Sequence, residues 1–131
     1  MLSTSDLESW SAGLVLSVPA LSGFVACVNR MQDAPAEMVC VGVGRGGRGL
    51  RADGVFQDAM VWVHCRAAAD SAAEAASIAV DELLVTAQGP FTVGSTYVAA
   101  VQPVGGPPSY LERDVNNWTT YWANYLMEAA R

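Results

Sequence analysis

The strongest pattern in the chain is a strand, a helix and a second strand over residues 55–103. Residues 55–66 have high β propensity, and apolar positions then recur on one helical face from 72 to 87. Residues 96–101 again favour a strand. A small amphipathic helix between two strands buries its apolar stripe on a sheet, so this unit predicts an α+β domain.

The central helix is predicted to span about residues 71–87. Ser71 and Glu74 have the spacing of a capping box, in which each side chain bonds the other residue's backbone amide. Gly89 and Pro90 end the helix, because glycine suits a left-handed cap and proline cannot continue the turn. The predicted apolar stripe is Ala72, Ala76, Ala79, Val80, Leu83 and Ala87.

The segments on either side complete the sheet. Residues 4–17 predict a short helix capped by Thr4 or Ser5, with Leu7 and Leu14 on its apolar side. Residues 103–108 are rich in proline and glycine, which predicts a break in regular structure. Further strands are predicted at 24–28, 38–43 and 118–127.

The last of these strands is ambiguous. Trp118, Tyr121, Trp122 and Tyr125 also have the spacing of a helical stripe, but the aromatic and threonine content favours a strand. With a strand there, the order is α-β-β-β-α-β-β. The sequence therefore predicts one α+β domain over residues 1–131, with a single mixed or mainly antiparallel sheet and the central helix packed on it.

Composition narrows the class of protein. The chain has 131 residues, of which 52% are hydrophobic and 15% charged, which supplies enough apolar surface for a core. Thirteen acids against seven bases, all arginine, give a net charge of −6, which argues against a surface built wholly for nucleic acid. The apolar run at 13–28 is interrupted by polar residues and proline and is too short for a membrane span.

No motif for catalysis or a metal site stands out. Cys27, Cys40 and Cys65 are widely spaced and His64 is the single histidine, whereas a structural zinc site needs four closely paired ligands. His64 and Cys65 point to opposite faces of a strand, so they do not form a nucleophile–base pair. The cysteines are interpreted as reduced and buried, and no cofactor is predicted.

A glycine- and arginine-rich segment at about 42–54 predicts a hairpin tip. Its first residues match G-x-G-x-x-G, but residues 48–54 will not hold the helix that a dinucleotide site requires. Arg45, Arg48 and Arg51 lie close together on an otherwise acidic chain. They are either a solvated tip or a cationic finger for phosphates or an acidic partner.

The C-terminal part of the chain carries the most specific pattern. It consists of a hydrophobic strand at 60–66, an alanine-rich helix and a strand with a proline-rich exit at 98–108. An acidic-basic-acidic patch at 111–114 and an aromatic final strand complete it. This arrangement resembles the tail terminator family of long-tailed bacteriophages, also called minor tail or minor capsid proteins. The glycine–arginine segment and the exit at Pro107 and Pro108 depart from the family's pattern.

The resemblance implies a structural protein without enzymatic activity or cofactor. It implies a ring, commonly six copies, that caps the head-proximal end of the tail tube, stops tube growth and joins the neck. The implied partners are the tail tube protein, a head–tail connector or neck protein and DNA in the lumen. The implied location is the virion, assembled in the bacterial cytoplasm. Our hypothesis for the interaction residues combines the three arginines of the glycine-rich segment with residues of the C-terminal pattern. They are Arg45, Arg48, Arg51, Arg113, Asp114, Trp118 and Trp122.

Three alternatives remain open at this level. The first is another neck or head-completion protein. The second is a small cytoplasmic ligand-binding module in which the aromatic strand forms a pocket. The third is a nucleotide-binding enzyme that uses the glycine-rich segment.

Overall fold

The computed structural model describes residues 2–44, 56–86 and 90–130. Within these ranges the chain forms two α-helices, a 3₁₀ turn and six β-strands. The helices are α1 (Thr4–Ser17) and α2 (Asp70–Thr86), and the 3₁₀ turn is Pro19–Leu21. The strands are β1 (Val25–Val28), β2 (Met38–Gly44), β3 (Phe56–Ala67), β4 (Phe91–Val93), β5 (Thr96–Arg113) and β6 (Thr119–Ala130).

The strands form one sheet in the order β1-β2-β3-β6-β5-β4. β1 and β2 are parallel, and every other neighbouring pair is antiparallel. This confirms the predicted α+β class with a mixed, mainly antiparallel sheet. The final segment is a strand, as predicted, because its aromatic and β-branched residues pair along the full length of β3.

Both helices cover the same face of the sheet. Alternate residues of β2, β3 and β6 join the buried faces of α1 and α2 in a single core cluster. The largest fully buried side chains include Leu7, Val41, Val63, Tyr125 and Met127. No described helix has the length and apolar character needed to cross a membrane.

The other side of the sheet, called the open face below, is not covered by either helix. Its side chains alternate with those of the core, and register places them in rows across β2, β3, β6 and β5. The residues of the open face include Met60, Trp62, His64, Arg66, Trp122, Asn124 and Leu126. An antiparallel sheet with one covered face normally carries polar residues on the other, so this aromatic content is unusual.

The helix boundaries differ in detail from the prediction. Ser3 is the N-cap of α1, in a capping box with Asp6, in place of the expected Thr4 or Ser5. α2 begins at Asp70, so Ser71 lies inside the helix and is not its cap.

The buried side of α2 is turned slightly from the predicted stripe. Its buried residues are Ala73, Ala76, Ser77, Val80 and Leu84. Leu83 is 44% exposed, so its place in the predicted stripe was wrong. Ala87 lies outside the described residues.

Residues 103–108 do not end the strand, and that prediction was wrong. β5 continues to Arg113, and the extra residues are absorbed as a bulge between Val104 and Ser109. Gly105 and Gly106 adopt φ values of 83° and 93°, which glycine reaches without strain. The short strand β4, which pairs with the start of β5, was not predicted.

Candidate interaction surface

An aromatic cluster occupies the centre of the open face. The rings of Trp62 and His64 lie 4.6 Å apart between centroids, and His64 meets Trp122 edge-on at 6.5 Å. Gly42 lies beneath Trp62, where a Cβ atom would come within 2.5 Å of the Trp62 Cε2 atom. Partial burial lowers the pKa of His64, which favours the neutral ring. Trp122, one of the predicted interaction residues, therefore belongs to a surface cluster and not to the core.

Trp118 has a different role, because its ring stacks on the guanidinium group of a buried arginine. The guanidinium carbon of Arg66 lies 4.9 Å from the centre of the Trp118 ring. Arg66 Nε donates to the carbonyl of Ala36 at 3.1 Å, and Nη2 donates to that of Pro35 at 2.7 Å. Because Arg66 is only 6% exposed, these bonds hold the link between β1 and β2 against the sheet.

Arg113 and Asp114 shape the turn between β5 and β6. Arg113 Nη2 contacts both carboxylate oxygens of Asp70 at 2.6 and 2.5 Å, which ties the end of β5 to the start of α2. Asp114 Oδ1 accepts from the backbone amides of Asn116 and Trp118 at 2.9 and 3.0 Å. Two of the expected interaction residues thus have structural partners within the chain.

A polar lock between α1 and the β4–β5 hairpin was not foreseen. Asp6, 5% exposed, accepts from the Thr96 hydroxyl at 2.6 Å and from the amide and hydroxyl of Ser95, both at 2.9 Å. The hydrogen bond from Thr96, then those from the amides of Ser95 and Ser3, hold the pKa of Asp6 well below its usual range. Only the capping-box spacing of Ser3 and Asp6 is visible in the sequence.

The helix α2 is tied to the sheet by two tyrosines of β6. Tyr125 Oη donates to Asp81 at 2.7 Å, and Tyr121 Oη donates to Glu74 at 2.9 Å. Burial, and then the Asp81 bond, raises the pKa of Tyr125 above its usual value. The two tyrosines of the predicted aromatic strand therefore serve the helix–sheet contact, while Trp122 lies on the opposite face.

The described residues contain no group of three or more metal-ligating side chains arranged to hold an ion. Cys65 is fully buried, and burial raises the pKa of its thiol to about 12. A thiol in that state is a poor nucleophile. The predicted separation of His64 and Cys65 is confirmed, since Cys65 joins the core and His64 the open face.

Two edges of the sheet are free of strand partners among the described residues. β4 pairs with β5 only as far as Val98, so residues 99–113 form one edge. β1 pairs with β2 and forms the other edge. Tyr110, at the first edge, is 53% exposed, and Val25, at the second, is 44% exposed. Unpaired edges with exposed apolar side chains are templates for pairing with another chain.

The three arginines of the predicted finger, Arg45, Arg48 and Arg51, lie outside the described residues, so the finger has no contacts to describe. Gly42 and Gly44, expected within the hairpin tip, belong to β2.

No protein-family model matches the chain, and no curated protein sequence matches it. A chain in the solved structure of the virion of a native gene transfer agent particle aligns with a TM-score of 0.68 and 14% sequence identity. The alignment covers 95% of this chain and 95% of that one. Over nearly its whole length, the protein therefore has the fold of a chain found in that virion.

Proposed function

We propose that this protein is a structural subunit of a phage-like virion, and specifically a tail terminator. In this role, copies form a ring, commonly of six, that caps the head-proximal end of the tail tube and joins it to the neck. The observation that carries the proposal is the full-length match in fold to a chain of the gene transfer agent virion. The pattern of the last two strands, which resembles the tail terminator family, supports the finer assignment.

The geometry of the sheet supports a role in assembly. One free edge is β1, at one end of the strand order, and the other is the part of β5 that β4 leaves unpaired, near the other end. The two edges differ, so a contact that joins them runs head to tail. Contacts of that kind close into a ring when the rotation between neighbours permits. In this role the protein acts through the shape of its assembly and not through a chemical reaction, so it needs neither a cofactor nor a catalytic group.

The ligand-binding alternative requires a pocket beside the aromatic strand. The cleft next to Trp122, lined by Val104, Gly105, Pro107 and Asn124 among others, has a volume of about 100 Å³. Pockets for small molecules usually measure about 300–1,000 Å³. This cleft does not favour the alternative.

Ring formation is the direct test of the proposal. Native mass spectrometry and negative-stain images of the full chain, with and without its tail tube protein, are expected to show a closed ring. Particles made without this protein are expected to have tails of uncontrolled length that do not join heads. A protein that forms no ring in either condition, and whose loss leaves particles normal, contradicts the proposal.

The arginines of the glycine-rich segment are proposed to contact DNA in the lumen or an acidic surface of the neighbouring ring. Replacing Arg45, Arg48 and Arg51 together by glutamine is expected to reduce head–tail joining or DNA retention, because three positive charges are lost. Arg30→Gln is the matched control, since Arg30 is exposed and lies elsewhere. Triple-variant particles that assemble and transfer DNA like the control contradict this assignment.

A further inference from the structure

We propose that residues 109–113 of β5 pair with β1 of a second copy as antiparallel strands, and that Tyr110 enters a groove between α1 and β1 of that copy. This inference rests on the proposed ring and names the surfaces that join its subunits. Four features of the sheet support it.

The first feature is that the two edges lie at the same level of the sheet. Cys27 pairs with Cys40, and the row continues through His64 and Trp122 to Ser109. A second row begins at Val25 and ends at Glu112. When a second copy is placed beside the first, displaced across the strands, residues 109–112 of one copy therefore lie next to residues 25–27 of the other. Little shift along the strand direction is needed.

The second feature is direction. β1 runs parallel to β2, and three antiparallel steps then lead through β3 and β6 to β5. β5 consequently runs opposite to β1. Joining β5 of one copy to β1 of the next gives an antiparallel ladder, whose hydrogen bonds are perpendicular to the strands and need no crossover.

The third feature is that only part of the β5 edge is open to pairing. Pro103, Pro107 and Pro108 lack amide donors, and the glycine bulge lies among them. Proline and bulges are the usual means by which edges avoid pairing. Residues 109–113 contain no proline or glycine. Their one register shift lies between Tyr110 and Glu112, where Leu111, 41% exposed, is a single extra residue, a smaller irregularity than the one between Val104 and Ser109.

The fourth feature is a groove on the matching face. Tyr110 occupies the row of Tyr121, on the helix-covered side of the sheet, and its ring contacts Tyr121 edge-on at 6.0 Å. The same row starts at Ala26 of β1. Ala26 lines an open groove with Ser11 and Ala12 of α1. Pairing of the two edges thus aims the exposed Tyr110 ring of one copy at this groove in the next.

A disulfide between copies tests the register directly. The amides of Val25 and Asn29 donate to the carbonyls of Glu37 and Val41, in the direction of β2. Because the direction of backbone groups alternates along a strand, Cys27 also directs its amide and carbonyl toward β2 and not toward the free edge. Opposite a second copy, Cys27 therefore occupies a non-hydrogen-bonded position, where Cα atoms of paired residues lie about 4.5 Å apart. This separation permits a disulfide. Because Cys27 and Ser109 share the open-face row, Ser109→Cys places a thiol beside Cys27 of the neighbour.

The full chain carrying Ser109→Cys is oxidised with diamide at a concentration where rings form, and is separated on a non-reducing gel. The expected result is a ladder of covalent multimers that collapses when Cys27→Ser is added. Ala100→Cys is the matched control, on the same strand and face but in a distant row with Glu128, and is expected to remain monomeric on the gel. Thermal unfolding under reducing conditions establishes that each variant is folded.

The outcomes separate the two proposals. Rings that form without Cys27-dependent crosslinks, or crosslinks that appear equally with Ala100→Cys, overturn the strand pairing and leave the ring intact. If neither the unchanged chain nor the folded Ser109→Cys chain forms rings or crosslinks, with or without the tail tube protein, both proposals are overturned.

Discussion

At the residue scale, polar atoms buried between elements decide much of the local geometry. Asp6 is the main example, because its two oxygens serve the cap of α1 and the hairpin between β4 and β5 at once. Hydrogen bonds to a charged acceptor are about twice as strong as neutral ones. Loss of this carboxylate therefore releases the helix and the hairpin together.

Asp6→Asn is expected to lower the free energy of unfolding at pH 7 by about 2–3 kcal/mol, since charged hydrogen bonds contribute roughly 1.5–3 kcal/mol each and the amide keeps part of them. The folded pKa of Asp6 is depressed, so its stabilisation is present above the unfolded pKa and is lost as pH falls toward the folded pKa. Chemical denaturation from neutral to strongly acidic pH should show a flatter acid limb for the variant.

Asp33→Asn is the control for this prediction, because Asp33 is exposed in the link between β1 and β2. An Asp6→Asn chain with the same stability and acid limb as this control would contradict the lock.

A second prediction at this scale concerns the close approach of Gly42 to Trp62. Gly42→Ala is expected to destabilise the fold by about 1–3 kcal/mol, because the new methyl group overlaps the indole ring. Gly13→Ala, in α1 with nothing within 4 Å of the added atom, is expected to stabilise the protein by up to about 1 kcal/mol. Thermal unfolding compares the two, and equal shifts would show that Trp62 moves aside freely.

At the scale of elements, a buried arginine helps to hold an irregular segment against the sheet, together with Glu37, whose carboxylate accepts from the amide of Ala68. The link between β1 and β2 has few regular backbone bonds of its own, and the Arg66 guanidinium supplies two donors to it. The fork of an arginine can bond two adjacent carbonyls at once, which a lysine ammonium does less well.

Arg66→Lys is accordingly expected to cost about 1–3 kcal/mol, the range for losing a buried hydrogen bond to a charged group. Amide hydrogen exchange should increase in residues 29–37 before it increases elsewhere. Arg30→Lys is the control, because it makes the same chemical change at an exposed arginine. Uniform exchange throughout the sheet would instead point to global destabilisation.

At the scale of the whole molecule, the described part of the chain forms a sheet with one face covered by helices, one open face and two free edges. A ring makes use of such edges because each subunit presents one of each kind to its neighbours. Tyr110 is the exposed aromatic side chain at this proposed contact, and aromatic residues often dominate such interfaces.

Tyr110→Ala is expected to reduce the affinity between copies by about 30-fold or more, since truncating an interface hot spot costs at least about 2 kcal/mol. Native mass spectrometry over a dilution series measures the change. Tyr97→Ala is the matched control, because Tyr97 lies on the same strand, is 44% exposed, and pairs with β4. Identical dissociation of the two variants would exclude Tyr110 from the interface.

Local patterning determined the class of fold. The alternation of β3 and β6, the helix stripe of α2 and the β-branched and aromatic content of the last strand each reflect short-range preferences that burial reinforces. These signals were sufficient for every described strand except β4, and for placing His64 and Cys65 on opposite faces. They also named Trp118 and Trp122 as candidate contact residues, without showing that Trp118 stacks on Arg66 of the same chain.

Only the tertiary structure decided which polar residues act within the fold and which face outward. For example, Arg113 pairs with Asp70 of α2, 43 residues away along the chain, and no local pattern indicates this contact. Its role between subunits stays a prediction. The continuation of β5 through its prolines depended on pairing with β6, which outweighs local propensity. The two free edges share rows of paired residues across the sheet. This alignment likewise depends on the register of five strands, and no local pattern encodes it.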